Sequence, residues 1–129
     1  EGLMAPVVKN AQNKTILQIA KEIAELAEKA QTRKIDIGEL KGSSFTITNV
    51  GSLGGLFATP VINWPDVAIL ALGRIYDKVV YKDGKIVVRK YLPFSVTFDH
   101  RVTDGAEVAR FANAFKEQLG NPEMLMMGD

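Results

Sequence analysis

Apolar residues recur at helical spacing near both ends of the chain and at strand spacing between them. Ile16, Ile19, Ala20, Ile23, Ala27 and Ala30 share one helical face, because positions three and four apart lie above one another. Thr15 and Gln18 have the spacing of a capping box at its start. The opposite face carries Lys21, Glu22, Glu25 and Lys29, a solvated surface. Residues 3–8 (LMAPVV) are short, apolar and end in β-branched side chains, which predicts a strand. Residues 34–40 are a connection with room for one helical turn. Residues 44–50 (SFTITNV) predict a strand by composition. Residues 51–55 (GSLGG) predict a loop in which three glycines can take positive φ. Residues 67–72 are continuously apolar, the pattern of a strand covered on both faces. Two further strands, 74–81 and 85–91, flank Asp83-Gly84, a two-residue hairpin signal. In 93–99, Phe94, Val96 and Phe98 alternate with Ser95, Thr97 and Asp99, so the two sides of that strand meet different surroundings. Asp104 opens the last helix, whose predicted buried stripe is Val108, Phe111, Ala112, Phe115 and Leu119. Gly120 and then Pro122 end it. The order of strand, helix, mostly antiparallel strands and helix predicts an α+β fold: a mixed β-sheet with helices packed on one face.

Composition narrows the possible functions. The 129 residues, 47% of them hydrophobic, suffice for one domain. Acidic and basic residues are interspersed to a net charge of +1, with no basic stripe, which argues against a nucleic-acid partner. The absence of cysteine excludes a disulfide framework, a thiol nucleophile and a cysteine-ligated zinc site, and no metal site is expected. No apolar run approaches the ~20 residues of a membrane span, and the first residues lack the pattern of a signal peptide. The expected location is the cytoplasm, or the mitochondrial matrix in a eukaryote.

The candidate chemistry centres on the one histidine. His100 stands where a strand gives way to a turn before a helix, a rigid support from which a side chain can enter a cleft. Asp104, followed by Gly105 and by Glu107 three residues on, is well explained as a helix cap, and a cap also fixes the turn that aims His100. Thr48 is a hydroxyl on a strand, where β-propensity alone would place it. Asn49 and the glycines after it suit a turn, and they do not lead into a helix with a lysine as a phosphate-binding loop would. Met124, Leu125, Met126 and Met127 are an apolar tail that either docks on the domain's own core or anchors in a neighbouring subunit.

DHRVTDG, residues 99–105, resembles the HxxxDG signature of the acyltransferases that form the core of 2-oxoacid dehydrogenase complexes. Other segments agree in order and spacing. GLMAPVVKNA is similar to that family's strand before its amphipathic helix. LKGSSFTITNVGSLGG resembles its FTISNLG region, with Thr48 where serine is usual. ATPVINWPDVAILALGRI is similar to its Pro-containing loop and buried strand, and NPEMLMM to its ending. Chloramphenicol acetyltransferases share fold and motif but usually carry a second histidine where this chain has Asp99. The resemblance covers essentially the whole chain, yet only the C-terminal half of the family's catalytic domain, so residues 1–129 are expected to form part of a chloramphenicol acetyltransferase-like domain.

The resemblance implies transfer of an acyl group between dihydrolipoamide and coenzyme A. It implies His100 as the base toward a thiol, Thr48 as an oxyanion donor, and Asp104 as a structural member that pairs with a cation. Asn49 and Gly105 join them on the substrate side. It further implies coenzyme A as a substrate and a lipoyl group carried on a separate domain. The implied assembly is a homotrimer within a larger cubic or icosahedral core, with histidine and hydroxyl meeting between subunits. A 2-oxoacid decarboxylase and a dihydrolipoamide dehydrogenase would attach through other domains. Two alternatives are a coenzyme A-dependent acyltransferase of the same fold with another small acceptor, and a non-catalytic assembly scaffold.

Overall fold

The computed structural model describes residues 3–127. It contains α1 (Ile16–Gln31), β1 (Thr46–Asn49), β2 (Ala68–Leu72), β3 (Tyr76–Lys82), β4 (Lys85–Tyr91), β5 (Phe94–Phe98), α2 (Gly105–Gly120) and α3 (Pro122–Met126). The chain divides into two compact units. One holds the residues up to Ser44 together with those from Ala109 onward, and the other spans Phe45–Val108.

In the first unit, α1 begins where its cap predicts. The Thr15 hydroxyl accepts the Gln18 N–H at 3.2 Å, and the Gln18 side chain accepts the Thr15 N–H at 2.8 Å. The two bonds satisfy donors that a helix start leaves without partners. The predicted strand at 3–8 does not form. Val7 N–H donates to the Glu39 carbonyl at 2.8 Å, but residues 3–8 join no ladder, and a strand needs a partner along its length. A 3₁₀ turn, Ile37–Leu40, occupies the expected connection. The expected stripe of α1 is not buried: Ile19 and Ala30 are half-buried, Ile16 and Ile23 are 48% and 53% exposed, and the buried residue of the helix, Leu26, lies beside that stripe rather than in it.

The second unit holds two sheets. In the first, β1 runs parallel to β2 and β5 antiparallel to it, in the order β1-β2-β5. This is the mixed sheet expected from the sequence, with β2 central, and Ile69, Leu70 and Ala71 are buried, so both faces of that strand are covered. The second sheet is the hairpin β3–β4, separate from the first. Asp83 and Gly84 both take positive φ, 52° and 76°, the turn that matches the strands' own twist. One hairpin face carries Val79, Tyr81, Ile86 and Val88, each 65–77% exposed. The other sets Lys78 opposite Arg89 and Lys82 opposite Lys85.

Two further expectations are corrected. Among the five residues 51–55 only Gly54 takes positive φ, because Gly51 and its neighbours form a 3₁₀ turn. The stripe on α2 is not buried: Val108, Ala112 and Phe115 are half-buried, and Phe111 and Leu119 are 41% and 45% exposed. An amphipathic pattern specifies which face needs covering but not what covers it. The same holds for the tail, where Met124, Leu125, Met126 and Met127 remain 41–81% exposed rather than docked on the chain's own core.

Candidate active site

Strand register decides where the candidate residues stand. Thr48 pairs with Ala71, and Ala71 with Ser95, so Thr48 sits near the end of the sheet where β1 and β2 finish and β5 begins. At the far end Phe98 pairs with Ala68, and Asp99 prolongs the ladder by donating its N–H to the Val67 carbonyl at 2.8 Å. His100 follows immediately. The step from Ala71 back to Val67 is four residues, about 13 Å along the strand at ~3.3 Å each, and β1 and β5 are separated by two strand spacings, ~10 Å. Side chains stand roughly perpendicular to a sheet, so they do not close such a gap. Within one chain, Thr48 and His100 are therefore at opposite ends of the sheet.

The Thr48 end is built by close backbone crossing. Val50 N–H donates to the Leu72 carbonyl at 2.9 Å, and Arg74 N–H to the Gly55 carbonyl at 2.8 Å. A Cβ on Gly73 would lie 2.0 Å from the Leu56 carbonyl oxygen, and one on Gly51 would lie 2.6 Å from the Gly73 oxygen. Only glycine allows these segments to touch. The Asn49 Oδ1 accepts the Gly51 N–H at 2.9 Å, which shapes the turn directly after Thr48. Thr48 itself is half-buried.

The His100 end is a turn gripped on both sides. His100 is exposed, and its ring lies beside that of Phe98 with centroids 5.5 Å apart. The Asp99 carboxylate accepts the Arg101 backbone N–H at 3.0 Å, and the guanidinium donates through Nε at 3.0 Å to Oδ1 and through its second nitrogen at 2.7 Å to Oδ2. Side-chain and backbone bonds from Arg101 hold the Asp99 carboxyl at about 2, below its usual 3.8. Because this pKa is lowered by folding, the pairing is fully present above the ordinary carboxylate range and is lost as pH falls through about 2. Carbon-13 titration of the Asp99 carboxyl should show a midpoint near 2, and a midpoint near 4 would contradict the pairing.

Asp104 performs the capping role expected of it. Its carboxylate accepts the Glu107 N–H at 2.9 Å at the start of α2. Glu107 in turn accepts the Thr103 hydroxyl at 2.6 Å. Beyond its own helix turn, a Cβ at Gly105 would meet nothing within 4 Å, so there is open space beside it. Among the described residues no three His, Cys, Asp or Glu side chains gather as a metal site requires.

Sequence reasoning missed three features. Arg101 has a legible signal, an acid and a base two positions apart on either side of a histidine. Asp66 is buried and accepts the Thr46 hydroxyl at 2.6 Å, tying the starts of β1 and β2, and an aspartate at the edge of an apolar run is the clue. Ser95 shares a register row with Thr48, which no linear pattern reveals.

Residues 1–127 match the family model of the 2-oxoacid dehydrogenases acyltransferase (catalytic domain). The chain belongs to this family. Similar members include the dihydrolipoyllysine-residue acetyltransferase components of the pyruvate dehydrogenase complexes of Staphylococcus aureus, 52% identical over 126 residues, and Bacillus subtilis, 48% identical over 127. In both cases 98% of this chain is aligned, and the chain spans 29% of the relative's length. Among solved acyltransferase structures, a study of the Azotobacter vinelandii dihydrolipoamide acetyltransferase is 40% identical with a TM-score of 0.90, covering 98% of this chain and 52% of that one. It concerns the roles of a serine, a histidine and an asparagine in catalysis, spaced at 52 and 4 positions. A probable dihydrolipoamide acetyltransferase from Listeria monocytogenes is 36% identical with a TM-score of 0.88, covering 100% of this chain and 54% of that one. The cubic core of a pyruvate dehydrogenase multienzyme complex also matches, at 40% identity and a TM-score of 0.91, covering 98% of this chain and 52% of that one. The fold of this family member is thus the chloramphenicol acetyltransferase-like fold of the acyltransferase cores.

Proposed function

We propose that this chain carries the reacting side chains of a dihydrolipoamide acyltransferase, which moves an acyl group, acetyl by the relatives' names, between dihydrolipoamide and coenzyme A. One observation carries the reading. Thr48, His100 and Asp104 are spaced at 52 and 4 positions, the intervals of the serine, histidine and asparagine studied in the A. vinelandii enzyme. The two differences are chemically informative. Threonine for serine keeps the hydroxyl. Aspartate for asparagine changes the charge but not the capping ability, so the shared property at Asp104 is the cap.

The chain's groups suit the reaction. Histidine is the side chain most often used to take a proton from a reacting group, here a thiol. His100, exposed at the strand end, takes that proton as the thiol attacks the thioester carbonyl. Thr48 donates its hydroxyl to the oxyanion this attack creates. Asp104 holds the turn through the Glu107 N–H, Asn49 shapes the turn after Thr48, and the open space at Gly105 admits substrate. Coenzyme A and a lipoyl group borne on another domain supply the thiols.

A base, a thiol, a carbonyl and an oxyanion donor linked by contacts of ~3 Å span only about 9 Å. The backbone separation of Thr48 from His100 exceeds that, which supports a site shared between neighbouring subunits of a trimer. The exposed tail, Met124 to Met127, supplies an apolar anchor for a larger core, cubic or icosahedral, to which decarboxylase and dihydrolipoamide dehydrogenase components attach through other domains.

A mixing experiment tests the arrangement. Assemblies of His100→Ala alone and of Thr48→Val alone should be nearly inactive. Randomly mixed trimers of the two should recover about a quarter of wild-type turnover, because some interfaces join an intact His100 to an intact Thr48. Mixed assemblies no more active than their parents would show that both groups serve one chain's site.

A further inference from the structure

We propose that the Asp99–Arg101 fork is a positioning clamp for His100, holding the imidazole in its reactive aim. The inference rests on the function proposed above. Three properties of the turn support it. First, Asp99 engages every hydrogen-bonding group it has: its N–H goes to Val67, its carbonyl receives Val102 N–H at 3.0 Å and Thr103 N–H at 3.2 Å, and its carboxylate grips Arg101. The residue before His100 is thus tied to β2 and to the turn, and the residue after it is tied back to Asp99. His100 lies between two fixed points.

Second, the grip is a fork rather than a single contact. Nε reaches Oδ1 at 3.0 Å and Oδ2 at 3.2 Å, and the second guanidinium nitrogen reaches Oδ2 at 2.7 Å. Such two-pronged pairing fixes orientation, which a lysine's point charge cannot do. Third, the Arg101 side chain reaches in from solvent, 87% exposed, to an acid seated in the turn. The Asp99 side chain is only 21% exposed, so the fork fixes an acid set into the turn, and it brackets the candidate base on both sides. The Phe98 ring stands beside the imidazole, tilted to it by 38° with centroids 5.5 Å apart.

The clamp acts through His100 and touches no reacting atom, so its loss should appear in turnover and not in substrate affinity. In the assembled full-length enzyme, Asp99→Asn should lower kcat by 10- to 100-fold, on the order of the loss from a ~1 Å misplacement, with KM for both substrates within about twofold. Arg101→Lys should fall similarly despite its retained charge. Asp99→Asn combined with Arg101→Gln should be no worse than the worse single variant, because both act through one device. Cryo-electron microscopy of Asp99→Asn should show the His100 imidazole spread over more than one rotamer. A kcat within twofold of wild type, full activity of Arg101→Lys, or a His100 ring unmoved while kcat falls would each overturn the clamp. Should Asp99→Asn fail to assemble, Arg101→Lys carries the test alone. His100→Ala separates the two ideas. An active His100→Ala enzyme defeats the proposed function, whereas an inactive one beside a normal Asp99→Asn defeats only the clamp.

Discussion

Turnover by the assembled enzyme should fall about 10²- to 10⁴-fold when His100 becomes alanine, with the protein still folded and assembled. The fall follows from the role given to His100. Positioned proton removal acts during attack, so its loss should reduce kcat while leaving coenzyme A binding nearly unchanged. The fold should tolerate the change, because His100 is exposed and its ring neighbour Phe98 belongs to β5 and keeps its own place in the sheet. Steady-state rates with acetyl-coenzyme A and dihydrolipoamide, together with sedimentation of the variant, check both halves. Wild-type turnover would remove His100 from the chemistry. A lost assembly would show that the histidine's place at the turn is structural instead.

Gly73→Ala should have the largest effect on stability. The new Cβ would stand 2.0 Å from the Leu56 oxygen and 2.8 Å from both the Leu56 carbonyl carbon and Pro93 Cγ. Two of these three atoms are backbone, so no side-chain rotation relieves the clash and a strand end has to move. We expect a loss of about 3 kcal/mol or more, read from urea unfolding. Gly120→Ala serves as the control, since a Cβ there meets nothing within 4 Å. Equal stability of the two variants would show that the crossing of residues 51–56 over Gly73 is looser than described. Because that crossing sets the turn after Thr48, partial expression of Gly73→Ala should also yield a less active enzyme.

Features set by a few adjacent residues were legible in the sequence. The Thr15–Gln18 box, the Asp83-Gly84 turn and the Asp104 cap all depend on neighbours within four positions, and each formed as expected. Long-range requirements were not legible. Residues 3–8 have the composition of a strand, but they join no ladder. The helical stripes mark apolar faces, yet Ile16, Ile23, Phe111 and Leu119 show that an apolar face is no guarantee of burial within the same chain, and the buried Leu26 lies beside the expected stripe of α1. The candidate site divides in the same way. DHRVTDG was readable as a motif, and its cap was readable as physics. The distance from Thr48 to His100 was not, because it depends on the direction of β5 relative to β1, which only pairing through β2 defines. The Asp99–Arg101 fork lies between these cases: its residues were in view, and its geometry was not.

The hairpin β3–β4 has a consequence for the chain before it meets any partner. Its two outer edges and its exposed Val79, Tyr81, Ile86 and Val88 are the kind of surface on which strands of other molecules stack. Its other face sets Lys78 against Arg89 and Lys82 against Lys85, pairings that repel across the two strands and weaken the hairpin somewhat. The same repulsion faces any second hairpin that approaches in like orientation. That repulsion guards the charged face alone and falls with ionic strength, so screening salt should favour stacking there, while the apolar face opposite has no such guard.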